Sequence, residues 1–500
     1  MKVLLVTGTL AAPILTEIVK NINDTKIEIK VLNYPVAALM STKFIAENLK
    51  QMKIDADYIL LPGLVYGDAK IVEEVTKIKT YKGTKEAWDL PRVIDALKKG
   101  LELSTVEPAD ILLNKITNND IQGKLKSIEE EAKVAFEIGN IKIPISPPPF
   151  RIFLEVNHKT DINELNRVKN NIDFVVVGFP AGHDDIEEVR NKIKELIDYG
   201  YIVGIDAESP RELIEGVKAG AEIVFNLNEV NLEKLEEIKK EAGFVAAPFN
   251  VENRGEITVK IVKEAKRRGF DKIIADPILS PPLKGLVNSI IDYKYVRENL
   301  PDVPTLMGIL NVTELLDADS VGINALLTAI AGELGIPNLL IMEKGKTKWS
   351  SLEVREATKM ISIALKEKRF PKDLGIDLII LKDKRRRREK VNANLEIKEH
   401  IEPEMDRAGF CKIFVCDDGI GVEWIGKERI TIKGKEGLSV GRALVRRIKD
   451  ISVEHSLYIG YELAKAEIAY QLDKDYIQDQ PLFKKIFNEN SSTQYNREKG

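Results

Sequence analysis

Asp and Asn side chains recur at the ends of short apolar runs in the middle of this 500-residue chain. A carboxylate accepts two parallel N–H bonds, and an Asn amide offers both a donor and an acceptor. Several such groups around one opening would suit a planar ligand with an amide-like edge. Each residue alone could instead cap a helix or form a turn, although a cap would accept Ser or Thr equally. The positions are Asn157, Asp206, Asn226, Asn228, Asn250, Asp276 and Asn311.

The edge of an amino-pyrimidinone, as found in pterins, matches this set of donors and acceptors. A hard cation could also use these oxygens, but the carboxylates lie on separate runs without the spacing of a metal loop. The set therefore favours an organic ligand over a metal, and Asn157 is the one residue kept as a candidate metal ligand.

The apolar runs that carry these residues alternate with helical patterns at intervals of roughly 20 to 35 residues, which is a βα period. Eight such runs are what a (β/α)₈ barrel requires, whereas a doubly wound sheet rarely has so many parallel strands. In this fold reactive groups lie at the carboxyl ends of the strands, so the polar residues would meet at one mouth. The runs begin at Arg151, Phe174, Tyr201, Glu222, Phe244, Lys272, Pro304 and Asn338.

Two further domains flank the predicted barrel, which occupies residues 146–370. Residues 1–145 show the strand and helix alternation of a parallel, Rossmann-like α/β sheet and end at a stiff run of prolines. Residues 371–485 have the alternation and glycine turns of an antiparallel meander followed by two helical patterns, which predicts an α+β domain. Residues 486–500 form a polar tail.

The composition narrows the class of protein. The 75 basic and 79 acidic residues leave a net charge of −4, which gives no clustered basic field for nucleic acid. No apolar run approaches the ~18 residues that cross a bilayer, and the chain start lacks the order of a signal peptide, so we expect a cytoplasmic protein without a membrane partner. The two cysteines cannot build a disulfide framework. Abundant Lys, Glu and Ile with little Gln is typical of heat-adapted proteins.

Several short motifs carry a family resemblance, and they occur in the right order. The segment VGIDAESPRELIEGVKAGAEIVFNLN, residues 203–228, resembles the third and fourth strands of the pterin-binding barrels, and IIADP, residues 273–277, resembles their sixth. This family includes dihydropteroate synthase and the methyltransferases that act on methyltetrahydrofolate or methyltetrahydromethanopterin. As a whole the chain is similar to the archaeal dihydropteroate synthase-related proteins, in which a pterin barrel lies between two extra domains.

The resemblance implies roles for individual residues. Asp206 and Asp276 match the aspartates that hold the pterin ring, and Asn226 matches the strand-four residue, with Asn228 as the alternative. The string MGILNVT, residues 307–313, resembles the opening of dihydropteroate synthase but falls on the seventh run. Its Asn311 stands where the synthase would have Arg and Lys, and it looks more like the methyltransferase residue that contacts the reactive nitrogen of the pterin.

Cations that could replace the missing Arg and Lys follow the eighth run. Lys344, Lys346 and Lys348 alternate in IMEKGKTKW. Positive charge stabilises the anionic oxygen that develops when a diphosphate leaves. The same three lysines would equally form a solvated surface.

Three hypotheses about function remain open. The first is condensation of a hydroxymethyl-dihydropterin diphosphate with an arylamine in tetrahydromethanopterin or folate synthesis, with Lys344 and Lys346 at the leaving group and Mg²⁺ as an optional aid. The second is methyl transfer from a methylated tetrahydropterin to a corrinoid, with Asn311 polarising the pterin and a corrinoid protein as partner. The third is a non-catalytic pterin-binding protein. A homodimer is compatible with each of them.

The histidine, cysteine and arginine residues outside these motifs give weaker indications of function. His183 follows the second run, on the reactive side of the barrel, where a single loop histidine is usually incidental. Cys411 and Cys416 fit one strand of the meander as packing residues. Arg385 to Arg388 are interpreted as a solvated, charged stretch.

Overall fold

The computed structural model describes residues 1–20, 22, 24–250, 252–372, 374–382 and 393–483. The chain divides into two compact units, Met1–Glu389 and Lys390–Gly500. The predicted stretch Arg385 to Arg388 and the predicted tail at 486–500 lie outside the described residues.

The chain begins with a four-stranded parallel sheet in the order β2-β1-β3-β4. Alternate residues of β1 face opposite sides, so Val3 and Leu5 join one apolar core and Leu4 and Val6 join the other. Helices cover both faces, as an all-parallel sheet requires. The elements are β1 Lys2–Thr7, α1 Ala12–Val19, β2 Lys26–Val31, α2 Thr42–Leu49, β3 Tyr58–Leu61, α3 Lys70–Thr76, β4 Lys79–Lys82, α4 Leu90–Lys98 and α5 Ala109–Glu131.

A β-hairpin connects this sheet to the barrel. Its strands are β5 Val134–Ile138 and β6 Ile141–Pro144, paired antiparallel. Ile138 and Ile143 are buried in the same cluster as the interior side chains of the barrel. The hairpin therefore packs against the barrel interior.

Eight parallel strands follow, and they confirm the predicted barrel. The hydrogen-bonded order runs from β12 through β7 and β14 to β13, and a parallel bridge between Ala275 and Thr305 joins the two ends. The elements are β7 Arg151–Asn157, α6 Ile162–Leu165, β8 Phe174–Gly178, α7 Ile186–Asp198, β9 Val203–Asp206, α8 Pro210–Lys218, β10 Ile223–Leu227, β11 Gly243–Ala246, α9 Arg254–Arg267, β12 Ile273–Ala275, α10 Leu286–Asn299, β13 Leu306–Gly308, α11 Leu310–Thr313, α12 Ser320–Leu334, β14 Asn338–Met342 and α13 Ser350–Glu367.

Three local predictions differ from the structure. The pattern LEKLEEIKKEAG predicts a helix after β10, but the segment consists of turns and a short 3-10 helix at Glu236–Ile238. The run PTLMGILNVT does not continue as a strand, because β13 ends at Gly308 and Asn311 lies in helix α11. The expected strand LGIDLIILKD is wrong, since the described residues 374–382 contain no strand.

The second unit has the predicted meander and helical pair. Its strands β15 Gly409–Cys416, β16 Gly419–Gly426 and β17 Arg429–Gly434 pair antiparallel in that order. Helices α14 Gly437–Arg447 and α15 Val453–Leu472 cover one face, and their apolar residues share a core with Val422 and the buried Trp424.

No helix of the described residues is long and apolar enough to cross a bilayer.

Arg151 ties the first barrel strand to helix α5 and to the hairpin. Its guanidinium donates to both oxygens of Glu129 at 2.9 and 2.8 Å and to the carbonyl of Lys142 at 2.8 Å. The Arg151 side chain is 8% exposed and that of Glu129 is 50% exposed, so water can reach the carboxylate but not the guanidinium. We predict that Arg151→Met lowers the free energy of unfolding by about 1–2 kcal/mol, because the hydrogen bonds of a charged, buried donor are lost while water solvates Glu129 again. Denaturant unfolding, with Lys294→Ala on the exposed surface of α10 as control, measures this, and an unchanged midpoint would contradict it.

Candidate functional site

The candidate site lies where the barrel interior changes from apolar to acidic. Side chains alternate inward and outward along each strand, and inward residues such as Phe153, Val176 and Ile274 form one buried cluster. Two residues further along the same strands, toward their carboxyl ends, the inward positions hold Glu155, Gly178 and Asp276. Carboxyl groups and glycines therefore replace bulky side chains at the mouth.

Asp206 is the carboxyl group most affected by this environment. It ends β9 and pairs in register with Gly178 of β8. Burial, with a further contribution from the charge of Glu155, raises the pKa of Asp206 from 3.8 to about 7. Burial and the neighbouring Glu314 also raise the pKa of Glu155. Near neutral pH this pair of carboxyl groups therefore holds a proton, because two adjacent buried carboxylates do not both ionise readily.

Asp276 follows β12 and is held in place by two donors. The Tyr293 hydroxyl donates to Asp276 Oδ1 at 2.6 Å, and the Ile278 N–H donates to the same atom at 2.8 Å. Burial raises the pKa of Asp276 to about 6, although these bonds and the charge of Arg254 oppose the rise. Both hydrogen bonds use Oδ1, so Oδ2 is the oxygen oriented for a further donor.

The charge of Arg254 acts on the Asp276 carboxylate. Arg254 begins helix α9, and its Nη1 donates to Ser280 Oγ at 2.9 Å. Its Nε is buried and has no hydrogen-bond partner among the described residues. A buried guanidinium N–H without an acceptor is unfavourable, so Arg254 is suited to an anionic or carbonyl group of a ligand.

Asn226 and Asn311 are held by different local contacts. Asn226 lies within β10 at a register irregularity, and its carbonyl accepts a bond from the Asn231 side chain at 2.8 Å. Asn311 Nδ2 donates to the carbonyl of Leu279, three residues after Asp276, at 2.8 Å. This bond fixes the orientation of the Asn311 amide, on α11, against the loop that follows β12.

Three other predicted residues use their side chains in local turns. Asn157 is exposed and accepts from the Lys159 N–H at 2.9 Å. Asn228 accepts from two backbone N–H groups, those of Val230 and Asn231. Asn250 is exposed and accepts from the Glu252 N–H at 3.1 Å. These contacts are the turn geometry that Asn adopts without any ligand.

The three lysines after β14 have different surroundings. Lys346 Nζ donates to the Leu316 carbonyl at 2.7 Å and pairs with Asp317 at 2.9 Å. The Lys348 ammonium lies 5.8 Å from the centre of the Trp349 ring. Lys344 is exposed, and the ion pairs of the described residues do not include it. Lys344 is therefore the lysine most readily available to an anion.

His183 is engaged by two carboxylates. Its Nδ1 lies 2.5 Å from Glu212 Oε1 and its Nε2 lies 3.0 Å from Glu188 Oε2. Glu188 and Glu212 raise the pKa of His183. Across the described residues, no group of three His, Cys, Asp or Glu side chains has the arrangement of a metal site.

Sequence reasoning missed Glu155 and Arg254. Glu155 lies inside the run RIFLEVN, two positions before its end, and period-two alternation alone would have placed it on the same face as Asn157. Arg254 follows a loop rather than a strand, so its approach to Asp276 depends on how two adjacent βα units pack.

The raised pKa of Asp206 predicts a pH-dependent stability. A carboxyl whose pKa is higher in the folded state stabilises the fold below its ordinary pKa and loses this contribution as pH rises through the window from 3.8 to about 7. We predict that Asp206→Asn stabilises the protein more at pH 8 than at pH 5, by about 2–3 kcal/mol. Urea unfolding at both pH values tests this, with the exposed Asp198→Asn as control. Equal effects at the two pH values would show that Asp206 ionises normally.

Comparisons with known proteins assign the chain to a family. Residues 405–479 match the family described as PterinBD-DUF4346, and residues 1–85 match a family of unknown function, DUF6513. Among solved structures, dihydropteroate synthase from Yersinia pestis is 13% identical, with a TM-score of 0.37 over 47% of this chain and 99% of that one. The 7,8-dihydropteroate synthase from Vibrio fischeri is also 13% identical, with a TM-score of 0.37 over 46% and 98%. The uncharacterized protein MJ0107 of Methanocaldococcus jannaschii is 31% identical over 97% of this chain and 99% of its own length. The chain belongs to the family of MJ0107.

Proposed function

We propose that the barrel mouth binds a pterin and that the protein is a transferase acting on it. The observation that carries this proposal is the pair of buried carboxyl groups, Asp206 and Asp276, on inward positions of β9 and β12. A buried carboxylate is unfavourable without donors, and the amino-pyrimidinone edge of a pterin supplies N–H groups. Ligand binding would thereby supply donors to Asp206 and to Asp276 Oδ2, whose Oδ1 already accepts two hydrogen bonds.

Condensation with an arylamine is the reaction that we place first. The amine nitrogen attacks the methylene carbon of a hydroxymethyl-dihydropterin diphosphate, the C–O bond breaks, and diphosphate leaves with the electron pair. Arg254, with its buried Nε–H, and the exposed Lys344 are the cations available to this anion. Lys346 would first have to leave Asp317. The ionised form of Asp206 can accept the proton that the amine releases, because its pKa is about 7.

Magnesium would enter this reaction with the substrate. The described residues hold no cluster of three metal-ligating side chains, and Asn157 is committed to an Asx turn. Mg²⁺ is commonly held by substrate phosphates plus one or two carboxylates, so diphosphate oxygens would supply most ligands.

Methyl transfer is a second candidate, because the Glu155 and Asp206 pair holds a proton near neutral pH. A tetrahydropterin nitrogen leaves a methyl group readily only when it is protonated, and a carboxyl with a pKa of about 7 can supply that proton near neutral pH. Asn311, fixed by its bond to the Leu279 carbonyl, would orient the pterin. A corrinoid protein would then accept the methyl group.

Calorimetric titration distinguishes the two reactions. We expect 6-hydroxymethyl-dihydropterin diphosphate to bind the wild type and to bind Asp276→Asn roughly 10- to 100-fold more weakly, because one charged acceptor is lost. Asp198→Asn, an exposed carboxylate on α7, is the matched control and should bind normally. Preference for methyl-tetrahydromethanopterin would favour methyl transfer. Binding of neither ligand would contradict the pterin proposal.

Loss of single cations tests the leaving-group site. We predict that Arg254→Met and Lys344→Ala each weaken binding of the diphosphate by roughly tenfold while leaving the affinity for 6-hydroxymethyl-dihydropterin, which lacks the anion, nearly unchanged. Lys294→Ala on α10 is the control for surface charge. Equal losses for both ligands would show that the cations shape the pocket rather than bind the diphosphate.

A further inference from the structure

A cysteine, a histidine and an aspartate come together in the second unit. Cys411 Sγ lies 3.7 Å from His455 Nε2, and His455 Nδ1 lies 2.8 Å from Asp406 Oδ2. Cys411 belongs to β15, His455 to the first turn of α15, and Asp406 to the segment before β15. Cys411 is partly exposed, and the His455 and Asp406 side chains are 13% and 7% exposed.

Backbone groups hold this row in place. Asp406 Oδ1 accepts from the Ala408 N–H at 2.8 Å, and Oδ2 accepts from the Ser452 N–H at 2.9 Å. Ser452 caps α15 by accepting from the His455 N–H at 3.1 Å. The helix start and the aspartate therefore position the imidazole together.

The hydrogen bonds determine which nitrogen of His455 can act as a base. Asp406 is an acceptor, so Nδ1 carries the proton that it donates to Oδ2. This leaves the lone pair of Nε2 facing the thiol. An activated cysteine has this arrangement, in which a base lies beside the nucleophile and a third group orients the base.

We propose that Cys411 is a nucleophile activated by His455, that Asp406 is a positioning residue, and that the thiol takes an alkyl group from an uncharged or cationic donor. In the step the S–H proton passes to Nε2 and an S–C bond forms. The bond from that carbon to its leaving group breaks, and the leaving group departs with the electron pair. This inference does not rest on pterin binding by the barrel.

The electrostatics of the site select the class of donor. Burial chiefly, with added contributions from Asp479 and Glu462, raises the pKa of the Cys411 thiol to about 11. The resting group is thus a thiol, and reaction requires His455 as general base. The same negative charges oppose an anionic donor. They also oppose acyl addition, which develops an oxyanion, whereas displacement at an alkyl carbon does not.

Cys416 is a control that the chain itself provides. It lies on the same strand and is also partly exposed, but its thiol contacts the Gly419 carbonyl at 3.2 Å instead of a histidine. Both thiols are partly exposed, but Cys416 ends β15 and is followed by Asp417 and Asp418, so it is a control for thiol exposure and not for local charge.

Alkylation of the full-length protein tests the proposal. Iodoacetamide and (2-bromoethyl)trimethylammonium would be applied to Cys416→Ala, and peptide mass spectrometry would follow Cys411. We expect His455→Gln in this background to slow alkylation roughly 100-fold with an unchanged melting temperature. Iodoacetate should react more slowly than iodoacetamide at Cys411, and by a larger factor than with free cysteine. A His455-independent rate, or equal rates for the anionic and neutral reagents at Cys411, would overturn the proposal.

The tautomer of His455 can be measured while the histidine is still present. This measurement tests the proposal even if the His455→Gln variant does not fold. The chain has four histidines, so ¹⁵N-histidine labelling gives a simple spectrum of ring nitrogens. We expect His455 to be the Nδ1–H tautomer in the Cys416→Ala protein and Asp406→Asn to increase the Nε2–H form while slowing alkylation. An Nε2–H tautomer in the unaltered site would overturn the mechanism, because that nitrogen could not accept the thiol proton.

Discussion

Closure of the parallel barrel is the constraint on which the first unit depends. Once the bridge between Ala275 and Thr305 joins the ends of the sheet, every second residue of each strand must face the interior. Most of these positions hold apolar side chains, and the hairpin residues Ile138 and Ile143 pack against them. The acidic positions next to the mouth are then enclosed by a ring of strands, so their ionisation becomes a property of the fold.

The cost of burying charge explains the chemistry available at this mouth. Asp206 responds with a pKa raised to about 7, to which the charge of Glu155 contributes, whereas Asp276 is supported by Tyr293 and the charge of Arg254. These are different solutions to one problem, and together they produce an acid, an anchored carboxylate and a cation within one opening. Such a combination suits a ligand with N–H donors and a polar leaving group. It is a reason to regard the site as functional rather than as a set of helix caps.

The second unit solves a different positioning problem with fewer residues. Asp406 and Ser452 use backbone N–H groups and a helix cap to fix one imidazole beside a thiol. Because Asp406 also accepts from two backbone N–H groups, its position does not depend on the histidine alone. The arrangement therefore has the rigidity that base catalysis requires, on a small meander covered by two helices.

The amino-acid sequence by itself determined the eight barrel strands, the meander and the position of Asn157 and Asp206 at strand ends, because hydrophobic period and turn chemistry are local properties. It could not indicate that MGILNVT turns into a helix after Gly308, since an apolar run suits a strand and a helix equally. Only the tertiary structure decided that Glu155 affects Asp206, that Arg254 approaches Asp276, and that Cys411 meets a histidine 44 residues away. These relations join separate strands and helices, and no local pattern records the distance between groups that chain folding brings together.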